Sequence, residues 1–389
     1  MYANLLRRFS GTRAVRHTKR SLGYDDLEGR QLLSLGAEFP INSITSAAET
    51  SPVTASSSNG SSIAVWEHSF GNGSDLQAQR FNAQGAKVGP QLFIAGKVGV
   101  NMTQPSVAMD AKGDFVVSWT QSPGSGGTDV FAQKFNPNGV AINGVVPVGV
   151  GTFAETQSSV GMDAGGDFVV AYTRNTNNTT PNVFAKVYNT NSQLLSVTPV
   201  GGTEFVEDAP SVAMAPNGLF DVAYQFHPNK STVDVFASRY GFNGALLGEF
   251  AIAGGTATVG APSIAIDNHD NAVIAYQQFD GNNWDIFARR LNSTNSLGGV
   301  ITVQATPTNE MIPSVALEGN AGAFVVAYQS FSSVNVTEVN ASNAVISTHT
   351  AGSSRFFPHV SINGQNKYLL AYTTNAPSGN NIAGRFGLL

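Results

Sequence analysis

Cysteine is absent from all 389 residues. Its absence excludes disulfides, thiol catalysis and cysteine-bound zinc together. It assigns no compartment, because many bacterial surface proteins also lack cysteine. Charge is scarce as well: Asp, Glu, Lys and Arg make up 12% of the chain, against the quarter usual for soluble domains. No apolar run comes near the roughly 18 residues of a membrane-crossing helix, so no membrane span is expected. Catalytic signatures are missing too. His17, His68, His227, His269, His349 and His359 form no HExxH or other paired spacing, so no metal site is expected. Each is read as a loop or surface residue. No GxSxG elbow and no phosphate-cradling glycine loop stands in a strand–helix context. No catalytic residue and no cofactor is assigned on this basis, and the chain is read as not an enzyme.

What the chain has is a repeat. Seven copies of one pattern run from about residue 50 to the end, clearest in Pro105–Gln121 and Asp129–Gly139. An aromatic closes one apolar run in each copy: Trp66, Trp119, Tyr172, Tyr224, Tyr276, Tyr328 and Tyr372, at steps of 53, 53, 52, 52, 52 and 44 residues. A proline stands 14 residues before most of them, at Pro52, Pro105, Pro210, Pro262 and Pro358; Ser158 replaces it in copy three, and Pro313 lies one residue further away in copy six. A period near 50 with several short strands per unit predicts an all-β, seven-bladed β-propeller with four-stranded blades.

Each copy divides into four strands. The first begins at the proline, whose missing N–H breaks no ladder bond there. A short acidic turn follows, as in Asp110–Gly113. The second strand is apolar on both faces, as in Phe115–Val117 and Phe324–Val326, which requires burial on both sides. The third alternates, as in Val235–Tyr240, and meets an Asn- and Gly-rich hairpin turn. The fourth is the weakest. Copy seven has no fourth strand of its own, so Ala37–Ile41 is expected to complete the last blade and remove the open edges.

Residues 1–36 lack the pattern and hold seven basic residues against three acidic ones; the remainder holds 14 basic and 23 acidic. An acidic body argues against nucleic acid as a partner. Leu27–Ser34 resembles the LExRxLLS-type segment near the N-terminus of exported bacterial proteins, which implies secretion or surface display. The expected division is a disordered basic export segment over 1–36 and the propeller over 37–389. The repeats themselves resemble the PSVAMDxxGDFVVxW…DVFAxRFNxxG units of large secreted and surface bacterial proteins. That resemblance implies the fold and carries no catalytic motif.

The pairs Asp110/Asp114, Asp163/Asp167 and Asp267/Asp270 invite a calcium reading, but an EF-hand loop needs alternating oxygen ligands and a distal Glu, and turn chemistry is the preferred account. The turns also resemble the sialidase Asp-box, Ser-x-Asp-x-Gly-x-x-Trp, yet Ser106, Asp110, Gly113 and Phe115 are spaced differently. A sialidase also needs three converging arginines and a tyrosine–acid pair. Arg80, Arg239, Arg290 and Arg385 are read at one equivalent third-strand position each, spread around the ring, so that reading is set aside. Glu155, Glu204, Glu207, Asp208 and Glu310 lie just before first strands and are read as solvated surface acids; paired catalysis by two of them is the lesser reading. The loops between second and third strands share that face and carry the exposed aromatics Phe70, Phe226, Phe279 and Trp284. Phe226, Phe279 and Trp284 are the candidate ligand-binding residues.

Three functions are weighed. The first is an exported, non-enzymatic, monomeric surface binding or adhesion module, extracellular or on the cell surface, with a glycan or a cell-surface protein as partner. The second is a carbohydrate-active hydrolase or lyase with acids at the central funnel. The third is a structural surface-layer component.

Overall fold

The structure is a computed structural model. It describes residues 35–389, apart from 45–46, 124–126, 177–179, 203–204, 230 and 377–378. Glu204 and nearly all of the basic head, with its export reading, lie outside the described residues. Those described form strands and turns, with no helix among them.

The copies fold as runs of antiparallel strands because their polar turns separate short, strand-forming apolar runs. Copy four is typical: Val206–Met214, Phe220–Asn229, Thr232–Tyr240 and Leu246–Ala253 pair in that order. Five four-stranded sheets stand separately, and copies one and two share an eight-stranded sheet. One parallel residue pair, Ser74 with Asn101, joins its halves. The last sheet takes its fourth strand from the start of the domain, with Phe39 facing Gly384 and Pro40 facing Ala383. The expected closure by the N-terminal strand is therefore present.

Burial on both faces of the second strands comes from the neighbouring copies. Val65 and Leu76 of copy one pack with Phe115 and Trp119 of copy two. Val183 and Ala185 of copy three pack with Phe220 and Tyr224 of copy four. Leu369 and Ile382 of copy seven pack with Trp66 and Phe81 of copy one. All seven closing aromatics are buried.

The first strands pack side by side around an axial channel of about 260 Å³. Here the sequence encodes a latch. The hydroxyls of Ser106, Ser159, Ser211, Ser263 and Ser314 accept the N–H of Val160, Val212, Ile264, Val315 and Val360 in the following copy, at 3.0–3.2 Å. In copy seven His359 takes the serine's place, and its Nδ1 accepts the N–H of Thr54 at 3.1 Å. Acceptance requires a neutral ring, and loss of solvation pushes the His359 pKa down to about 4. His359 is thus a channel-wall strand residue, correcting its reading as a loop or surface group. Val53 holds the same position in copy one and offers no acceptor.

A second set of bridges lies where the acidic turns are. Lys134 reaches the carbonyls of Gly166 and Thr190 in copy three, Arg239 those of Asp270 and Asn292 in copy five, and Arg290 that of Asn340 in copy six. Arg239 also pairs with Asp221 through two bonds of 2.8 Å, with both side chains buried. Arg385 does not share this position: it faces Leu370, whereas Arg239 faces Asp221, so Phe386 is the true equivalent. The one-residue offset turns Arg385 to the opposite face of its sheet. The turn acids behave as expected. Asp110, Asp163 and Asp267 each accept N–H groups two and four residues ahead, and no metal-holding acid or histidine cluster occurs among the described residues.

Candidate functional site

The first strands all begin on the face that carries the loops between second and third strands. Each bulges just before its proline position, and the bulged residue has a left-handed backbone: Ser51, Gln104, Gln157, Ala209, Ala261, Ile312 and Phe357, with φ between 48° and 57°. Seven bulges at one level form the rim of the channel mouth. For six of them the neighbouring copy binds the N–H group. Glu67 Oε1 accepts from Gln104, Gln104 Oε1 from Gln157, Gln157 Oε1 from Ala209, Gln225 Oε1 from Ala261, and Gln277 Oε1 from Ile312, at 2.8–3.1 Å. Gln329 Oε1 accepts from Phe357 at 3.5 Å.

Behind this rim, three residues before the proline position, stand Glu49, Glu155, Glu207 and Glu310. All four are buried, which corrects the reading of Glu155, Glu207 and Glu310 as solvated surface acids. Side chains alternate along a strand, and this position faces the space between sheets. Each carboxylate meets a different partner. Glu49 binds His68 Nδ1 at 2.8 Å, Glu155 pairs with Arg174 at 3.2 Å, and Glu310 accepts from the hydroxyls of Thr306 and Thr308. Among the described residues Glu207 has only the N–H of Gly202, at 3.3 Å, and its Oε2 has no partner. Desolvation pushes its pKa up to about 7, against a small opposing effect of the Gly202 bond.

Asp208 points to the other face of the same strand. Its Oδ1 accepts from Gln225 Nε2 at 2.7 Å and lies 3.3 Å from His227 Nε2. Asp208 faces Gln225 across the strand pair, and His227 follows two residues later on the same face. About a quarter of each side chain is open to solvent. With Nε2–H donating to Asp208, Nδ1 of His227 carries the free lone pair of a base. The His–acid contact crosses two strands, so no local motif in the sequence announces it.

The candidate aromatics are not gathered in one place. Phe226 shares the Glu207 face and packs between Phe205, at 5.2 Å between ring centres, and Phe236, at 5.1 Å. Phe279 and Trp284 belong to the next copy, where they face each other across a strand pair at 5.5 Å. A tyrosine–acid pair does occur: the buried Tyr372 hydroxyl donates to Glu38 at 2.7 Å beside Arg355 and Arg385. It borders a cavity of about 390 Å³. Arg355 spends its donors on Glu38 and on the carbonyls of Ser353 and Ser354, so this cluster pins the N-terminal strand to the last sheet. A cavity of about 510 Å³ lies at the opposite end of the channel between the acidic turns. There Asp110 and Asp163 are engaged by their own turns.

No protein-family model matches the sequence, and no curated protein matches it. Solved structures do match. An oligogalacturonate lyase from Vibrio parahaemolyticus has a TM-score of 0.53 at 8% identity, over 90% of this chain and 98% of its own. An α-L-arabinanase from Penicillium chrysogenum has a TM-score of 0.50 at 10% identity, over 73% of this chain and 92% of its own. A polysaccharide lyase acting on ulvan has a TM-score of 0.51 at 12% identity, over 90% and 94%. At these identities the likeness establishes the fold: an all-β assembly of four-stranded antiparallel sheets, as in β-propellers. The same comparisons correct the expectation of a non-enzymatic surface or adhesion module. The three neighbours named here are carbohydrate-active enzymes.

Proposed function

We propose that the chain is a seven-bladed β-propeller enzyme that cleaves glycosidic bonds at the channel mouth, by hydrolysis or by elimination. Seven apolar clusters, each drawn from two consecutive copies, support the blade count. The observation that carries the activity is the partly open Asp208–His227 couple at the mouth. His227 is the general base and Asp208 orients it. In hydrolysis the base takes a proton from water, the water oxygen bonds to the anomeric carbon, and the glycosidic oxygen leaves with the electron pair of the broken C–O bond and takes a proton from solvent. In elimination it takes the proton beside a uronic carboxylate, a carbon–carbon double bond forms, and the glycosidic oxygen leaves with its electron pair. The Phe279–Trp284 pair, and Phe226 through the Phe205 ring it supports, are the aromatic surfaces proposed to meet the sugar. The head, residues 1–36, is proposed as an export segment and 37–389 as the enzyme domain, acting on extracellular glycans.

The test is release of reducing ends from arabinan, polygalacturonate and ulvan by the full chain, with ultraviolet absorbance of unsaturated products reporting elimination. Activity on one of these that falls by a factor of about 10²–10⁴ in His227→Ala is the expected result. Turnover unaffected by His227→Ala and Asp208→Asn removes the couple from the mechanism, and no turnover on any of the three removes the activity.

A further inference from the structure

The seven rim positions are equivalent in backbone and unequal in side chain, and their inequality divides the mouth. Copies two and three place Gln104 and Gln157 there. Each Oε1 accepts both a backbone N–H and a threonine hydroxyl. A backbone N–H can only donate, so the oxygen must face it and the NH₂ must turn away. Neither Nε2 has a protein partner among the described residues. Copies one, four and five have Ser51, Ala209 and Ala261. Copies six and seven have Ile312 and Phe357, 40% and 45% exposed.

Phe331 joins them. It occupies the turn between Phe324–Ser330 and Ser333–Val339 and is 83% exposed. Its N–H donates to Asn309 O at 3.3 Å, and the next carbonyl, Ser332 O, accepts from Arg355 N. Gln329 ties the two phenylalanines together, donating to Phe331 O at 3.2 Å and accepting from Phe357 N. Phe331, Phe357 and Ile312 all have φ above 50°, a conformation unfavourable for large or β-branched residues. At the rim position of Ile312 and Phe357 the other copies meet the same geometry with serine, glutamine or alanine. Folding therefore does not require large apolar groups here. Strained, solvent-exposed aromatics at a mouth are a cost retained for a ligand.

We propose that Phe357 and Phe331, flanked by Ile312, form a stacking subsite for the apolar face of a pyranose in a glycan chain, with the free amides of Gln104 and Gln157 taking hydroxyl or carboxylate groups across the mouth. The subsite rests on the glycan reading of the site above. The occupant is a sugar chain because separate rings match single sugar units. Neither phenylalanine ring stacks on another ring among the described residues, and unused amide donors lie on the same rim.

The experiment is affinity electrophoresis of the full chain through gels cast with ulvan, with polygalacturonate, or with no polysaccharide. The variants use residues suited to this backbone: Phe357→Ser, since Ser51 fills the same position, and Phe331→Asn. Phe93→Ser, an exposed residue of the outer strand Lys87–Ala95, is the control. The wild type is expected to be retarded in at least one polysaccharide gel. The double variant should bind about tenfold more weakly, a ring-stacking contribution, and Phe93→Ser should run as the wild type. His227→Ala should keep its retardation while losing turnover, which separates this subsite from the catalytic assignment. An unretarded wild type, or a double variant retarded as strongly as the wild type, overturns the proposal.

Discussion

Glu207 offers a stability test in which one proton decides the outcome. Its carboxyl is fully buried with one N–H partner and an unpaired oxygen, and its pKa rises from the ordinary 4.5 to about 7. Between those two values the folded state keeps a proton that the unfolded chain has released. Stability therefore falls as pH climbs from about 4.5 to about 7. Below that window both states are protonated, and above it both are ionised and the loss is complete. The full difference is about 3 kcal/mol. Glu207→Gln mimics the neutral acid in shape and keeps an oxygen for Gly202. The variant should unfold at nearly the wild-type urea concentration at pH 4.5 and be more stable by up to about 3 kcal/mol at pH 8. Urea titrations at both pH values, read by tryptophan fluorescence, measure the gap. A stability difference that is equal at both pH values refutes the reasoning, because a desolvated carboxyl must produce a pH-dependent one.

Other perturbations test the architecture. Truncating Tyr276 or Trp119 to alanine should cost roughly 3–5 kcal/mol, seen as a lowered urea midpoint; near-neutral results would contradict their burial between copies. Replacing Arg239 with alanine strands the buried Asp221 and should cost about 3–5 kcal/mol, whereas replacing Arg355, which is partly open, should cost less than about 1 kcal/mol. Removing residues 37–43 should lower the thermal midpoint and promote association through the freed edge of Gly379–Leu388, detectable by light scattering. Val53→Thr supplies the hydroxyl missing from the axial latch and should add about 1 kcal/mol; no gain would mean that the Val107 N–H needs no partner.

Much of this fold was legible because repetition averages out local noise. The apolar runs around Phe115–Val117 and Tyr368–Leu370, the aromatics closing them and the Asn–Gly turns each recur several times, so their meaning does not rest on one segment. The N-terminal strand was readable because copy seven ends without a fourth strand. What failed was register and burial at single positions. Arg385 looked like the partner of Arg80, Arg239 and Arg290, and only the pairing of Tyr372 with Ala383 shows it to be one residue early. The acids before the first strands looked exposed because they stand beside loops. Their strand alternation turns Glu155, Glu207 and Glu310 inward and leaves Asp208 on the open face.

The same contrast bears on the proposed site. Positions that repeat, such as the serine latch and the buried aromatics, serve ring closure, and their near-identity from copy to copy reflects one packing problem solved repeatedly. Positions that share a backbone geometry but differ in side chain answer to something outside the ring. The rim is the clearest case, with two glutamines, two alanines, a serine, an isoleucine and a phenylalanine in one conformation. His227 is another, since among the described residues no other copy sets a quarter-exposed imidazole against an acid at this level; His68 of copy one meets Glu49 instead, in a largely enclosed pair. A function spread evenly around the ring would need seven similar rims. The departures instead set the proposed acid–base couple at copy four, amide donors at copies two and three and apolar rings at copies six and seven, an arrangement suited to one extended ligand lying across the mouth.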